Sequence, residues 1–189
     1  VLADINTTAG YTSLATGLAD GTSYTVVVWG TNGYQTVTAT AEYTTQKNPE
    51  VFKSLGKGTY TEDLLTTFFE VENVSYEVEI EESVENPGKY RLINPYGAAY
   101  PYNEPGDWDD SNTYYLTINA ENPDCVYIDA QALGFDWGYG MFGIYSLAGN
   151  MIAAGKTEDE VIAAGAAGTL KDGVITFPVK TARNICRSD

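Results

Sequence analysis

The sequence predicts an all-β fold, mainly antiparallel and sandwich-like, with one or two short helices. Two observations carry this. Tyr24, Val26 and Val28 alternate with Thr25, Val27 and Trp29, and Val74, Tyr76, Val78 and Ile80 alternate with Ser75, Glu77, Glu79 and Glu81. A period of two puts one set of side chains on a core and the other in water, which is the signature of a half-buried strand. Turn formers punctuate these runs at Asn32-Gly33, Ser83 to Gly88 and Lys171-Asp172-Gly173, so successive strands fold back on one another.

Composition sets the outer limits. At 189 residues, with 43% hydrophobic residues, 15 Tyr and only 19% charged residues, the chain folds as one large or two small domains. The polar stretch Gln46-Lys47-Asn48-Pro49-Glu50 reads as a linker. It separates a first module, residues 1–47, from a β-rich domain, residues 50–180; the tail 181–189 lacks strand patterning. A net charge of −16 with a pI near 4.1 disfavours nucleic acid and anionic membrane as partners, since both are bound through clustered Lys and Arg. No apolar run approaches the ~20 residues that a membrane-spanning helix needs, so no membrane insertion is expected in this stretch. The chain has no histidine, which removes imidazole triads, most zinc sites and the usual neutral-pH proton shuttle. Cys125 and Cys186 could pair in an oxidising compartment or remain two thiols; their count leaves both open.

The first module holds two strands joined at Asn32-Gly33, the second running through Val37, Ala39 and Ala41. In the second domain, the alternating run 74–81 is expected to form a hairpin with Lys89-Tyr90-Arg91-Leu92-Ile93, which puts Lys89 and Arg91 across from Glu77, Glu79 and Glu81. Further strands are expected at 114–118, 126–128, 141–146 and 174–179. Thr157-Glu158-Asp159-Glu160 fits a capping box, with Thr157 as N-cap, Glu160 at the third helical position and Gly165 as the stop. Thr61 to Phe69 opens with a capping residue and acids, which suits a helical turn; a buried apolar strand fits the same residues nearly as well.

Two resemblances follow from particular runs. Thr12 to Leu18, Asp20-Gly21-Thr22-Ser23-Tyr24 to Trp29, and Thr36 to Thr45 resemble the closing strands of a fibronectin type III module, with a leucine before a turn, a Gly-Thr-x-Tyr strand start and a terminal Thr-Thr. The likeness implies an incomplete module whose earlier strands lie upstream of Val1, in a longer extracellular protein. Ser54 to Asp63, Tyr76 to Glu81, Pro87 to Leu92, Asn94-Pro95-Tyr96-Gly97 and Asp172 to Pro178 resemble domains found in surface lipoproteins of gut Bacteroidetes. That likeness implies an address at the bacterial outer surface and no particular reaction.

The densest polar and aromatic run is Tyr100 to Tyr115, which contains Tyr102, Glu104, Asp107, Trp108, Asp109, Asp110 and Asn112. Aromatic faces beside carboxylates and amides suit a sugar, whose apolar ring face stacks while its hydroxyls take hydrogen bonds. Phe135 to Phe142, with Trp137, would supply the opposite wall. The site expected from this pattern is Trp108, Trp137, Tyr102, Asp107 and Asp109; the same run also reads as a long surface loop with Trp108 folded back over the core. Asp107, Asp109 and Asn112 suggest calcium, but the fifth position is Ser111, the sixth is Asn112 in place of Gly, and the downstream Glu is missing, so no metal is assigned. A glycosidase would pair one of Asp107, Asp109 or Asp110 with Asp136 or Glu104, although two acids near aromatics arise readily by chance in so acidic a chain. The expected function is therefore non-catalytic recognition at the cell surface or outside the cell, without cofactor, with a glycan or a surface protein as partner.

Overall fold

The computed structural model describes residues 17–47, 49–136, 138, 140–178 and 184–187. The chain divides into two compact units, Val1–Pro49 and Glu50–Asp189. Among the described residues it is mostly antiparallel β-sheet with three short helices.

The first unit is an antiparallel hairpin of β1 (Ser23–Thr31) and β2 (Thr36–Thr44). Asn32 makes the turn: its side-chain oxygen accepts from the Tyr34 and Gln35 amides at 3.0 and 2.8 Å, and Gly33 supplies a φ of 88° that L side chains avoid. At the open end Thr45 Oγ1 accepts from the Thr22 amide at 2.8 Å. Both faces of the ribbon are exposed, at 63% for Val28 on one and 45% for Val27 on the other.

The second unit is built on a four-stranded antiparallel sheet in the order β3 (Phe52–Glu62), β4 (Val74–Ser83), β5 (Lys89–Ile93), β6 (Tyr115–Asn119). Its inner face carries Val78, Leu92, Leu116 and Ile118, all buried, with Tyr60, Tyr76 and Ile80 packed against them. Glu77 and Glu79 point to water as the alternation predicts. Arg91 does meet the glutamate row: its Nε donates to Glu81 at 2.6 Å, and its guanidinium lies between the rings of Phe52 and Tyr115, 3.8 and 4.0 Å from their centroids. Lys89 turns elsewhere. It donates to Glu50 at 2.6 Å, and Glu50 also accepts from Ser83 Oγ and Asn86 Nδ2, clamping the start of the unit to the β4–β5 turn.

Of the readings open for 61–69, the helical one holds: α1 spans Leu64–Phe68. Its cap is Glu62 at the end of β3, and this side chain is fully buried. One carboxylate oxygen accepts from the Leu64 and Leu65 amides, both at 2.8 Å, and the other from the Thr66 amide at 3.1 Å. Three of the helix's orphan donors are thus satisfied by a carboxylate that is in no ion pair among the described residues, the oriented amide dipoles standing where a cation otherwise would. Around it stand four tyrosines. Tyr60 and Tyr96 share a hydroxyl–hydroxyl bond of 2.9 Å, Tyr76 donates to the Pro95 carbonyl at 2.6 Å, and Tyr100 packs edge-on to Tyr96 with centroids 5.2 Å apart. Burial first, then the electrostatic influence of nearby Tyr60 and Glu62, pushes the Tyr76 and Tyr96 hydroxyls well above their ordinary range, so they stay protonated.

Residues 126–128 do not form the strand expected of them. Each makes one connection: Val126 bridges Gly168, Tyr127 bridges Asn119 at the edge of β6, and the Ile128 amide donates to Ser146 Oγ at 2.9 Å. A three-stranded sheet follows, in the order β11 (Asn184–Arg187), β8 (Phe142–Tyr145), β7 (Gln131–Ala132). The tail is therefore a strand in part, since 184–187 pair with 142–145; pairing to a partner remote in sequence carries it where its own alternation does not. Helix α2 (Leu147–Ala153), capped by Ser146 Oγ, was not expected, because its Ala, Gly and Asn leave little helical periodicity. Helix α3 (Glu158–Ala163) carries the Thr157–Glu160 capping box. A β9 (Thr169–Lys171) and β10 (Val174–Thr176) hairpin turns at Asp172-Gly173. Cys125 is a free, buried thiol in a small second core with Ala148, Val161 and Ala166; Cys186 has its side chain outside the described residues.

Replacing Glu62 by Ala strands three amide donors in a dry site and is expected to lower the unfolding free energy by about 3 kcal/mol, read from urea denaturation. The Lys89 ammonium, with Ser83 and Asn86, holds the Glu50 carboxyl at about 2, below its ordinary 4.5. A carboxyl lowered on folding stabilises the native state fully above its unfolded value and ceases to do so as pH falls through the folded one. Thermal midpoints followed from pH 5 to pH 2 should therefore fall less steeply in Glu50→Gln than in wild type.

Candidate functional site

The run Tyr100 to Tyr115 is a loop organised by its own acids. Asp109 is the hub: its carboxylate accepts from the Ser111 amide at 2.9 Å, from Asn112 Nδ2 at 2.8 Å, from Tyr114 Oη at 2.9 Å and from Ser111 Oγ. Those bonds, the Asn112 amide first, hold its carboxyl well below the usual carboxylate range and push the Tyr114 hydroxyl up. The Asp107 carboxylate accepts from the Glu104 amide at 2.7 Å, closing the turn before Trp108.

The expected opposing wall is instead a neighbour. The Asp109 amide donates to the Gly134 carbonyl at 2.8 Å, the Asp136 amide donates to the Asp107 carbonyl at 2.7 Å, and Trp108 bridges Phe135. Residues 107–109 and 134–136 thus lie side by side as a short ribbon, with no cleft implied between them. Phe135 is fully buried, stacked on Tyr96 and on Phe142 with centroids 5.1 and 4.7 Å away. Trp108 is half-buried and packs against the same core, which is the folded-back position that the loop reading anticipates. Asp136 accepts from the Gly138 and Gly140 amides at 2.7 and 2.9 Å. Trp137 lies outside the described residues.

Tyr102 belongs to another part of the surface. Its hydroxyl donates to the Glu72 carbonyl at 2.8 Å, tying the loop to the connection between α1 and β4. Asn103 steadies this junction from below, donating to the Tyr96 and Gly97 carbonyls at 2.7 and 3.1 Å. The end of α1 and that connection carry exposed apolar side chains: Phe68 is 66% exposed and Val71 43%, and Tyr102 itself is 38% exposed. Glu70 sits at φ 57°, a left-handed conformation uncommon for a residue other than Gly. Phe68 and Val71 escaped the sequence reading, though the adjacent pair Phe68-Phe69 held the clue. Neighbouring helical residues point about 100° apart, so a helix that buries Phe69 turns Phe68 outward.

The structure therefore brings Asp107, Trp108 and Asp109 together, sets Tyr102 against the α1–β4 connection, and uses the acids as local acceptors. Phe52 and Tyr115 offer no platform of their own, since each turns a ring face to Arg91. Among the described residues no group of three or more Cys, Asp or Glu is placed to hold a metal ion, and no helix is long and apolar enough to cross a membrane.

Gly134 keeps the ribbon closed. It has φ 80°, and a Cβ there would lie 2.2 Å from Tyr114 Cδ2. Gly134→Ala should cost about 2 kcal/mol or more, against about 1 kcal/mol for Gly106→Ala, where φ is also positive but nothing stands within 4 Å. Urea denaturation of both variants checks the difference. Comparison of the chain with protein-family models, with curated proteins and with solved structures finds no match.

Proposed function

We propose that the chain is a non-catalytic recognition module at the bacterial outer surface or outside the cell, and that it binds carbohydrate. The observation that carries this reading is the exposed Phe68 ring at the end of α1, followed by a connection to which the Tyr102 hydroxyl is fixed at 2.8 Å through the Glu72 carbonyl. An aromatic ring left largely in water, with Phe69 set edge-on to it at 4.9 Å, in a stretch that also bears groups able to take hydroxyls, has the chemistry of a sugar platform. The surface address rests on the likeness of residues 12–45 to fibronectin type III strands and of 54–178 to Bacteroidetes surface lipoprotein domains.

Local chemistry speaks against hydrolysis. A glycosidase needs one carboxyl held protonated near neutral pH, and Asp109, the most heavily bonded acid of the loop, is pushed the opposite way. A structural or adhesive role through protein contacts is the second reading. It is favoured by the apolar rows that β1 and β2 leave in water, Val26, Val28 and Val37 among them.

Glycan-array screening followed by calorimetry tests the proposal. One stacked ring contributes about 1.4 kcal/mol, so Phe68→Ala and Tyr102→Ala are each expected to weaken binding about tenfold. Trp108→Ala should lower stability more than affinity. Binding unchanged in Phe68→Ala, Tyr102→Ala and Trp137→Ala alike would remove the aromatic platform; no glycan binding together with a salt-sensitive protein partner would favour the second reading.

A further inference from the structure

The β1–β2 ribbon has two unlike sides. Residues paired across an antiparallel ladder point the same way, so the register sorts every side chain of the two strands. One side holds three rows that each set a valine beside a smaller residue: Val26 with Ala41, Val28 with Ala39, and Val37 with Gly30. The other is mostly threonine and bonds to itself across the strands, Thr25 Oγ1 donating to Glu42 at 2.9 Å and the Ser23 and Thr44 hydroxyls lying 2.8 Å apart. That side is suited to water. The apolar side stands in water as well, with Val26, Val28 and Val37 all exposed, and a two-stranded ribbon with nothing on its apolar side is marginal at best.

We infer that this side is the interface of a homodimer, in which two ribbons pack face to face as a four-stranded β-sandwich. The inference is independent of the carbohydrate reading, and it gives the protein-contact reading a partner: a second copy of this chain.

Three observations favour a second copy. The first is shape. Rotating a copy by 180° about a line parallel to the strands and between the two faces lays β1 over the copy's β2 and keeps each row over itself. Val26 then meets Ala41 of the copy, Val28 meets Ala39, and Val37 meets Gly30, so large residues fall on small ones in every row. The ribbon is complementary to itself. The second is charge: each chain carries −16, but Glu42 is the one charged residue of β1 and β2 and it lies on the threonine side. Two acidic chains can therefore meet here without setting like charges in contact. The third is size, since two such faces remove on the order of 1,000 Å² from water, where specific interfaces begin.

Sedimentation of the full 189-residue chain reads the outcome. At about 0.1 mM, above the micromolar Kd that such an interface supports, the mass should be twice the 20.5 kDa of one chain. Val28→Lys puts an ammonium from each copy into the interface and should weaken association about a hundredfold. Val27→Lys makes the same change one residue away on the threonine side; it should leave the dimer intact, which separates loss of the interface from loss of the strand. Ala39→Val sets valine on valine and should weaken association about tenfold, and Val28→Ala/Ala39→Val, which exchanges the two, should restore it. Raising salt should tighten the dimer, because it screens the repulsion between acidic chains. A monomer at that concentration would overturn the inference, while the glycan array and the search for a protein partner would still decide the two readings above. A dimer that Val28→Lys leaves intact, one that both lysine variants abolish, one that dissociates as salt rises, or no rescue by the exchanged pair would overturn it too.

Discussion

A single buried carboxylate, that of Glu62, sets the arrangement of the second unit. It closes the longest strand of the sheet, and it caps the helix that follows by accepting three backbone amides. Burying an unpaired carboxylate ordinarily costs several kcal/mol. Here the convergent amide dipoles of a helix N-terminus and the Tyr96 hydroxyl at 3.5 Å offset that cost. Because both oxygens are engaged, the direction of α1 is fixed relative to β3, and with it the side on which Phe69 meets the core and Phe68 meets water.

The tyrosines extend that constraint toward the surface. Tyr96 touches Tyr60, Tyr100 and Phe135 with ring centroids 5.1 to 6.0 Å apart, and Tyr100 touches Tyr102 at 6.0 Å. One contiguous aromatic cluster thus joins the sheet, the cap and the loop that reaches Glu72. Edge-on and offset ring contacts favour defined geometries over mere burial, so the exposed end of this cluster is held by its buried end. The loop around Asp109 is organised separately, by short-range bonds that need little from the core. This is why the two halves of a continuous polar and aromatic run end up serving different surfaces.

Much of this was legible in the residues themselves. The alternation from Val74 to Glu81, the Lys89–Ile93 partner, the Asn32-Gly33 turn and the Thr157–Glu160 capping box all act within a few residues or one hairpin, and the structure carries each of them. What escaped depends on partners distant in sequence. Residues 126–128 divide their bonds among three segments, residues 184–187 borrow their strand from β8, and Phe135 is drawn into the core by Tyr96 and Phe142. The site reading had the same limit. Aromatic and acidic residue types pointed to the Tyr100–Tyr115 loop, but only tertiary contact reveals that Trp108 covers the core and that Tyr102 bonds the connection after α1.

The most direct test of the Glu62 constraint is native-state hydrogen exchange at the Leu64, Leu65 and Thr66 amides. Held by a buried carboxylate, they should exchange as slowly as the central amides of β4, despite belonging to a five-residue helix that would fray on its own. Exchange at the rates of an open loop, with β4 still protected, would contradict the account, since the carboxylate would then fix neither the helix nor the aromatic surface it carries.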